Sequence, residues 1–267
     1  MNREIAIRLS FFFGLFVLLA IWERFNPRRD QVTSKKLRWF NNLAIASLDT
    51  LMVRFLLPFV PVSVAFLAQE RGWGVFVSFD MPYIFKAVIA VIALDFVVYI
   101  QHVLFHAIPL LWRFHMVHHL DLDLDVTSGV RFHPIEIILS MGIKLTAVAL
   151  LGAPPLAVLV FEILLNGTSM FNHSNVFIPL NMDHILRLFV VTPDMHRIHH
   201  SVILKETDSN YGFSLPWWDR LLGTYRSQPA KGHQEMRIGL SRFLDEKRQT
   251  LPWLLSLPFL KKAKKYI

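Results

Sequence analysis

The chain has 267 residues, 54% of them hydrophobic and 18% charged, with a net charge of +8 and no cysteine. Its mean hydropathy of +0.41 is that of an integral membrane protein rather than a soluble domain. The lack of cysteine excludes disulfides, thiolate metal sites, iron–sulfur clusters and a cysteine nucleophile; the basic residues flank apolar runs, which argues for membrane orientation and against a nucleic-acid partner.

A helix needs about 20 apolar residues to cross the hydrocarbon core. The first candidate runs from about Ile5 to Trp22 and is followed by Glu23, Arg24, Arg28 and Arg29 with no small-residue cleavage site, so it reads as an uncleaved span. The second, from about Leu43 to Ala68, is interrupted by Asp49, Arg54 and two prolines, which predicts a kink. The third covers Pro82 to Gln101. A hairpin follows: Ile135 to Leu151, a turn at Gly152-Ala153-Pro154-Pro155, and Leu156 to Phe171, each arm a full or a partial span. The expected fold is therefore all-α, a multi-pass membrane helical bundle of about four to five spans or partial spans, with a His-rich helical cap. No internal repeat is present.

Loop charges set the orientation. The segment after the first span carries Arg24, Arg28, Arg29, Lys35, Lys36 and Arg38, and the tail ends Lys261-Lys262-Ala263-Lys264-Lys265, whereas the loop from Glu70 to Met81 has only Arg71. The positive-inside rule puts the basic segments in the cytoplasm, in a bacterial inner membrane or the endoplasmic reticulum. Lys264 and Lys265 could be a dilysine retrieval signal, although a basic juxtamembrane end is the commoner explanation. The apolar stretch Leu251 to Leu260 is too short to span and is expected to lie in the interface. Trp217 and Trp218 either do the same or pack under the histidines.

Eight of the twelve histidines fall in three tight boxes: His102 and His106; His115, His118 and His119; His196, His199 and His200. Following the spans alternately puts all three boxes on the cytoplasmic side. Neutral imidazole is the commonest nitrogen ligand for transition metals, and the i, i+3, i+4 spacing allows each box to aim its rings at one point on a helix. Eight ligands exceed the four of a tetrahedral zinc and suit two metals. Haem would leave most of them unexplained; neither His-Glu-x-x-His nor the Glu-x-x-His pairs of carboxylate-bridged di-iron bundles occurs. Asp95 and Tyr99 extend the first box backwards at helical spacing, so Asp95 is expected to accept a hydrogen bond from a ligand histidine. Asp194 and Asp208 are further candidate carboxylates.

The ordered boxes resemble the fatty acid hydroxylase / sterol desaturase superfamily of membrane-bound non-haem di-iron oxygenases. So do Arg131-Phe132-His133-Pro134-Ile135-Glu136 between the second box and the hairpin, Phe171-Asn172-His173-Ser174-Asn175 after it, Thr192 to Ser201 around the last box, and Asn210-Tyr211-Gly212-Phe213, Trp217-Trp218-Asp219-Arg220 and Leu222-Gly223-Thr224-Tyr225 beyond. The resemblance covers roughly Ala87 to Tyr225 and implies a catalytic domain at 87–228, between N-terminal spans at 1–86 and a basic tail at 229–267. It further implies a lipid, sterol or alkyl-ether substrate, O2, two irons, and a separate electron donor such as a reductase, ferredoxin or cytochrome. The metal ligands it implies are His102, His106, His115, His118, His119, His173, His196, His199 and His200, with His133 a ligand, a ligand's partner or a cap; Asp95, Tyr99 and Asn172 are the candidate catalytic residues. His184 is expected to be structural and His233 solvated. A zinc-dependent membrane hydrolase and a metal transporter are the alternatives from other classes.

Overall fold

The computed structural model describes residues 2–260, among which there is no β-strand. The helices that build and position the site are α1 (Asn2–Phe25), α2 (Lys35–Leu56), α3 (Pro61–Arg71), α4 (Tyr83–Ala107), α5 (Pro109–His119), α6 (Pro134–Leu151), α7 (Pro155–His173), α8 (Pro193–His199) and α9 (Leu251–Ser256). Five stretches are long and apolar enough to cross a membrane: Arg3–Phe25, Lys35–Ser78, Tyr83–Ala107, Pro134–Leu151 and Pro155–His173. The chain is thus an all-α, multi-pass bundle, as the hydropathy pattern requires, with α5 and α8 capping one end.

The second predicted span is where pattern and structure differ. Helix α2 begins at Lys35, capped by Ser34, whose hydroxyl accepts from the Leu37 amide. Its first turns are polar, and they are helical because Arg38 and Asn42 are buried against the segment that follows α5 and Asn41 accepts from the Leu251 amide at the start of α9. The helix stops at Leu56 and α3 restarts at Pro61, since Pro58 and Pro61 can donate no backbone hydrogen bond.

At the far end of the bundle the hairpin turn depends on glycine. Gly152 ends α6 at φ +62°, and a Cβ on Gly74 would lie 2.1 Å from the Gly152 amide nitrogen, so two backbones meet where no side chain fits. Helix α7 is central and packs on α1, α3, α4 and α8. The layer below the cap is apolar and rich in small residues (Ala65, Ala90, Leu94, Val98, Val148, Ala157, Val158, Phe161), which allows close helix approach in lipid.

The N- and C-terminal regions pack on the central bundle. Leu254 and Leu257 insert beside Ile45, Trp112 and Met116 beneath the second histidine box, and Arg113 Nη2 donates to the Leu260 carbonyl at 3.1 Å. The stretch from Leu251 to Leu260 is therefore anchored by buried leucines while Pro252 and Phe259 stay exposed. His233, expected to be solvated, is buried, with Nε2 3.6 Å from Asp194, because the tail folds back over the Arg28–Asp194 ion pair. His184 is exposed. Lys264 and Lys265 lie outside the described residues.

Candidate metal centre

Nine histidines from four segments converge where the C-terminal ends of α4 and α7 meet the cap. They form two groups: His102, His106, His115, His119 and His199 in one, and His118, His173, His196 and His200 in the other. Within each group the candidate ligand atoms all lie within 4.8 Å of one another, and every ring is buried.

The box spacing explains the division and corrects the expectation that each box converges on one point. At 3.6 residues per turn, position i+4 sits about 40° from i and position i+3 about 60° the other way. The second box sends its i, i+4 pair, His115 and His119, to the five-histidine group and His118 to the other. The third box does the reverse: His196 and His200 join the four-histidine group, and His199 joins the five. The second and third boxes thus straddle both groups, while the first, His102 and His106, lies wholly in the five-histidine group.

Backbone and carboxylate acceptors orient the rings. Nδ1 donates to the Tyr211 carbonyl from His102 (2.7 Å), to Arg131 from His118 (3.0 Å), to Ser169 from His173 (2.7 Å) and to Ser209 from His199 (2.8 Å). His115 Nδ1 lies 2.7 Å from Glu136 Oε1, and His106 Nδ1 lies 3.3 Å from Asp208 Oδ1.

These donors test whether the residues fit a metal. A carbonyl can only accept, so a neutral His118 and a neutral His173 each carry their proton on Nδ1 and present a lone pair at Nε2. Those two Nε2 atoms are 2.9 Å apart. Two facing lone pairs at that distance repel unless a cation lies between or beside them; two nitrogens each about 2.1 Å from one ion and at right angles to it are about 3.0 Å apart. His102 and His115, whose Nδ1 atoms face the Tyr211 carbonyl and Glu136, repeat the arrangement at 3.1 Å. His119 Nε2 and His199 Nε2 are buried with no hydrogen-bond partner. The donor set fits metal.

Electrostatics agree. Burial, with repulsion from neighbouring imidazoles, holds His118, His119, His196, His199 and His200 well below the ordinary histidine range. They are neutral at pH 7 and ready to ligate. Because their folded pKa values lie below the unfolded value of about 6.5, the unfolded chain takes up protons first as pH falls. The stability they confer is complete above about pH 6.5 and declines below it. Metal content is expected to be constant from pH 8 to 7 and to fall more steeply than a one-proton curve below about pH 6.5, as measured by metal-to-protein ratio after equilibration across a pH series.

Not every expected site residue reaches the centre. His133 belongs to neither group: it caps α6, its Nδ1 accepting from the Ile135 amide at 3.2 Å and its Nε2 donating to the Leu255 carbonyl at 3.3 Å. With both nitrogens engaged it pins the C-terminal segment. Asp95 accepts from Trp218 Nε1 (2.8 Å) and the Leu215 amide (3.3 Å), not from a histidine, so Trp218 packs under the cap while Trp217 is partly exposed. Tyr99 hydroxyl pairs with Thr224 Oγ1 at 2.9 Å, and Asn172 Nδ2 donates to the Phe213 carbonyl at 3.0 Å. These three tie the Phe213–Thr224 stretch onto α4 and α7. Asp194 pairs with Arg28, Arg197 and His233 rather than with a ring of either histidine group. Glu136 went unassigned in the sequence, although an acid near the start of an otherwise apolar helix marks it for a role.

The fatty acid hydroxylase family model matches residues 87–224, a stretch that holds all nine histidines. The chain belongs to the fatty acid hydroxylase family. It is 30% identical over 226 residues to the ornithine lipid hydroxylase OlsE of Rhizobium tropici, covering 83% of this chain and 67% of that protein. It is 28% identical to the Homo sapiens alkylglycerol monooxygenase over 53% of this chain and 31% of the relative, and 28% identical to the Homo sapiens cholesterol 25-hydroxylase over 51% and 50%. This fatty acid hydroxylase family member thus spans two thirds of the first relative and half or less of the other two. No solved structure matches it significantly. These relatives are hydroxylases and monooxygenases, and this family member is an oxygen-dependent oxidoreductase with five stretches long and apolar enough to cross a membrane.

Proposed function

We propose that this protein binds two irons, one in each histidine group, and uses O2 and two electrons from a separate carrier to hydroxylate a polar membrane lipid. The single observation that carries the two-metal assignment is the partition of nine buried imidazoles into two groups, within each of which a pair of Nε2 lone pairs faces one another. The balance is R–H + O2 + 2 e⁻ + 2 H⁺ → R–OH + H2O. Iron held there would supply the reduction of O2 and the oxidising power to break an unactivated C–H bond.

The chain's own residues do the rest. His102, His106, His115, His119 and His199 would hold one ion, and His118, His173, His196 and His200 the other. Phe132 lies flat on His118 with ring centroids 4.5 Å apart, Phe213 packs edge-on against His102 at 5.3 Å, and Trp112 lies 4.9 Å from His106; together they exclude water from the reacting volume. The apolar surfaces of α4, α6 and α7 face lipid, so a lipid substrate can reach the site laterally. Residues 87–228 are the catalytic unit, with residues 2–86 and 229–260 braced against it, and the histidines face the cytoplasm, where a reductase, ferredoxin or cytochrome donates electrons. An amino-acid-bearing polar lipid is the favoured substrate because the ornithine lipid hydroxylase is similar over 83% of this chain.

The test is metal analysis of gently purified protein, joined to turnover of a total polar-lipid extract under ¹⁸O2 with a one-electron donor system. Iron near two per chain and ¹⁸O in a lipid product are expected. Turnover supported by zinc under anaerobic conditions would refute the assignment.

A further inference from the structure

The two histidine groups differ in what stands behind their rings. In the four-histidine group, His118 and His173 donate through Nδ1 to backbone carbonyls, while Nδ1 of His196 and of His200 has no hydrogen-bond partner. Asp121 is the acidic residue whose field reaches His173, but Arg38 and Arg131 neutralise it and it makes no hydrogen bond to a histidine. In the five-histidine group, His102 and His199 also donate to carbonyls, but His115 meets the buried carboxylate of Glu136 at 2.7 Å and His106 meets Asp208 at 3.3 Å. Among the described residues both carboxylate contacts to rings of the two groups fall on the five-histidine group.

A carboxylate that accepts the Nδ1 proton pulls it outward and leaves more electron density on Nε2, making the imidazole a stronger donor than a carbonyl would. Stronger donors stabilise the more highly charged state of a bound ion and lower its reduction potential. Given the proposed reading that each group holds one iron, we propose that Glu136 and Asp208 are positioning residues that make the five-histidine centre the electron-rich, tightly held site and leave the four-histidine centre the more oxidising and more exchangeable one. An electron delivered singly by a one-electron carrier then reduces the four-histidine iron first, Fe(III) to Fe(II), and the second electron reduces the other. The contacts assign this order to two side chains that lie outside both ligand sets.

The experiment uses full-length protein purified in detergent with ⁵⁷Fe. Mössbauer spectra of the wild type should show two quadrupole doublets of equal area, and His196→Ala should retain the doublet of the five-histidine centre, which identifies it. Glu136→Gln keeps the shape and an acceptor oxygen but removes the charge. It should shift that doublet alone, raise the midpoint potential of that iron and speed its loss to a chelator by about 10- to 100-fold. Asp208→Asn, at a partly exposed residue whose replacement spares the buried packing, should move the same doublet in the same direction by less. A shift of the other doublet, an equal shift of both, or unchanged spectra in both variants would overturn the proposal. Fewer than two irons in the wild type would instead overturn the two-metal reading beneath it.

Discussion

His199→Ala is expected to abolish turnover and remove about one equivalent of metal while leaving the protein folded and inserted. His199 supplies the third box's contribution to the five-histidine group, and its Nε2 has no other partner. Loss of a ligand that helps to neutralise charge in the transition state costs several kcal/mol, a rate loss on the order of 1,000-fold or more. Alanine is a better helix former than histidine, so α8 itself is not weakened. His118→Ala should empty the other group and be equally inactive, because the two boxes are crossed. His133→Ala is the informative contrast. It removes the α6 cap and the tie to Leu255, for about 1 kcal/mol of stability, yet should keep full metal content. Metal analysis and thermal melts of the three variants separate ligand from cap: metal loss in His133→Ala, or none in His199→Ala, would contradict the assignment.

Much of this was legible in the sequence because the signals are local. Twenty-residue apolar runs give spans, and histidines at i, i+3 and i+4 give a shared helical face. What the spacing could not show is that one face addresses two centres, since the 100° between positions i+3 and i+4 acquires meaning only when a second helix crosses above it. The misplaced roles share a cause. Asp95 and Tyr99 sit on the histidine face of α4 at the right spacing, but a turn or two below the ligands, where the segment carrying Trp218 and Thr224 closes over them and takes their hydrogen bonds. Glu136, whose helix begins only at Pro134, reaches His115 across a separation of 21 residues that no local pattern reveals. His133 looked like a ligand for the same reason that it caps: a histidine before Pro134 at a helix start has its Nδ1 placed to accept from the second amide of the helix.

Arg38 carries the second large prediction. It was counted with the basic residues that orient the chain, yet its side chain is completely buried: Nε lies 2.7 Å from Asp121 Oδ1, Nη1 lies 3.0 Å from Asp125 Oδ2, and Nη2 donates to the Asp123 carbonyl at 2.6 Å. Burial alone would push the Asp121 carboxyl up, but Arg38 and Arg131 overcome that and hold it at about 2. The stability this group confers is therefore complete above its unfolded value of about 3.9 and is lost only as pH falls through about 2, so at neutral pH the network is fully engaged. Arg131 in turn donates from Nε to the Val117 carbonyl, and its own carbonyl accepts from His118. Removing Arg38 thus leaves Asp121 and Asp125 buried without their main counter-charge and loosens the backbone that aims a candidate ligand. Breaking one side of a buried ion pair costs about 3–5 kcal/mol, so Arg38→Met should lower the thermal midpoint in detergent by on the order of 10 °C. Metal should be lost preferentially from the four-histidine group, since His118 is the ring that the network holds. Adding Asp121→Asn and Asp125→Asn to Arg38→Met removes the stranded charges and should recover part of the midpoint. If the triple variant is no better than the single one, the cost lies in lost packing rather than in unpaired charge; a wild-type midpoint in Arg38→Met would show that the network does not hold the site at all.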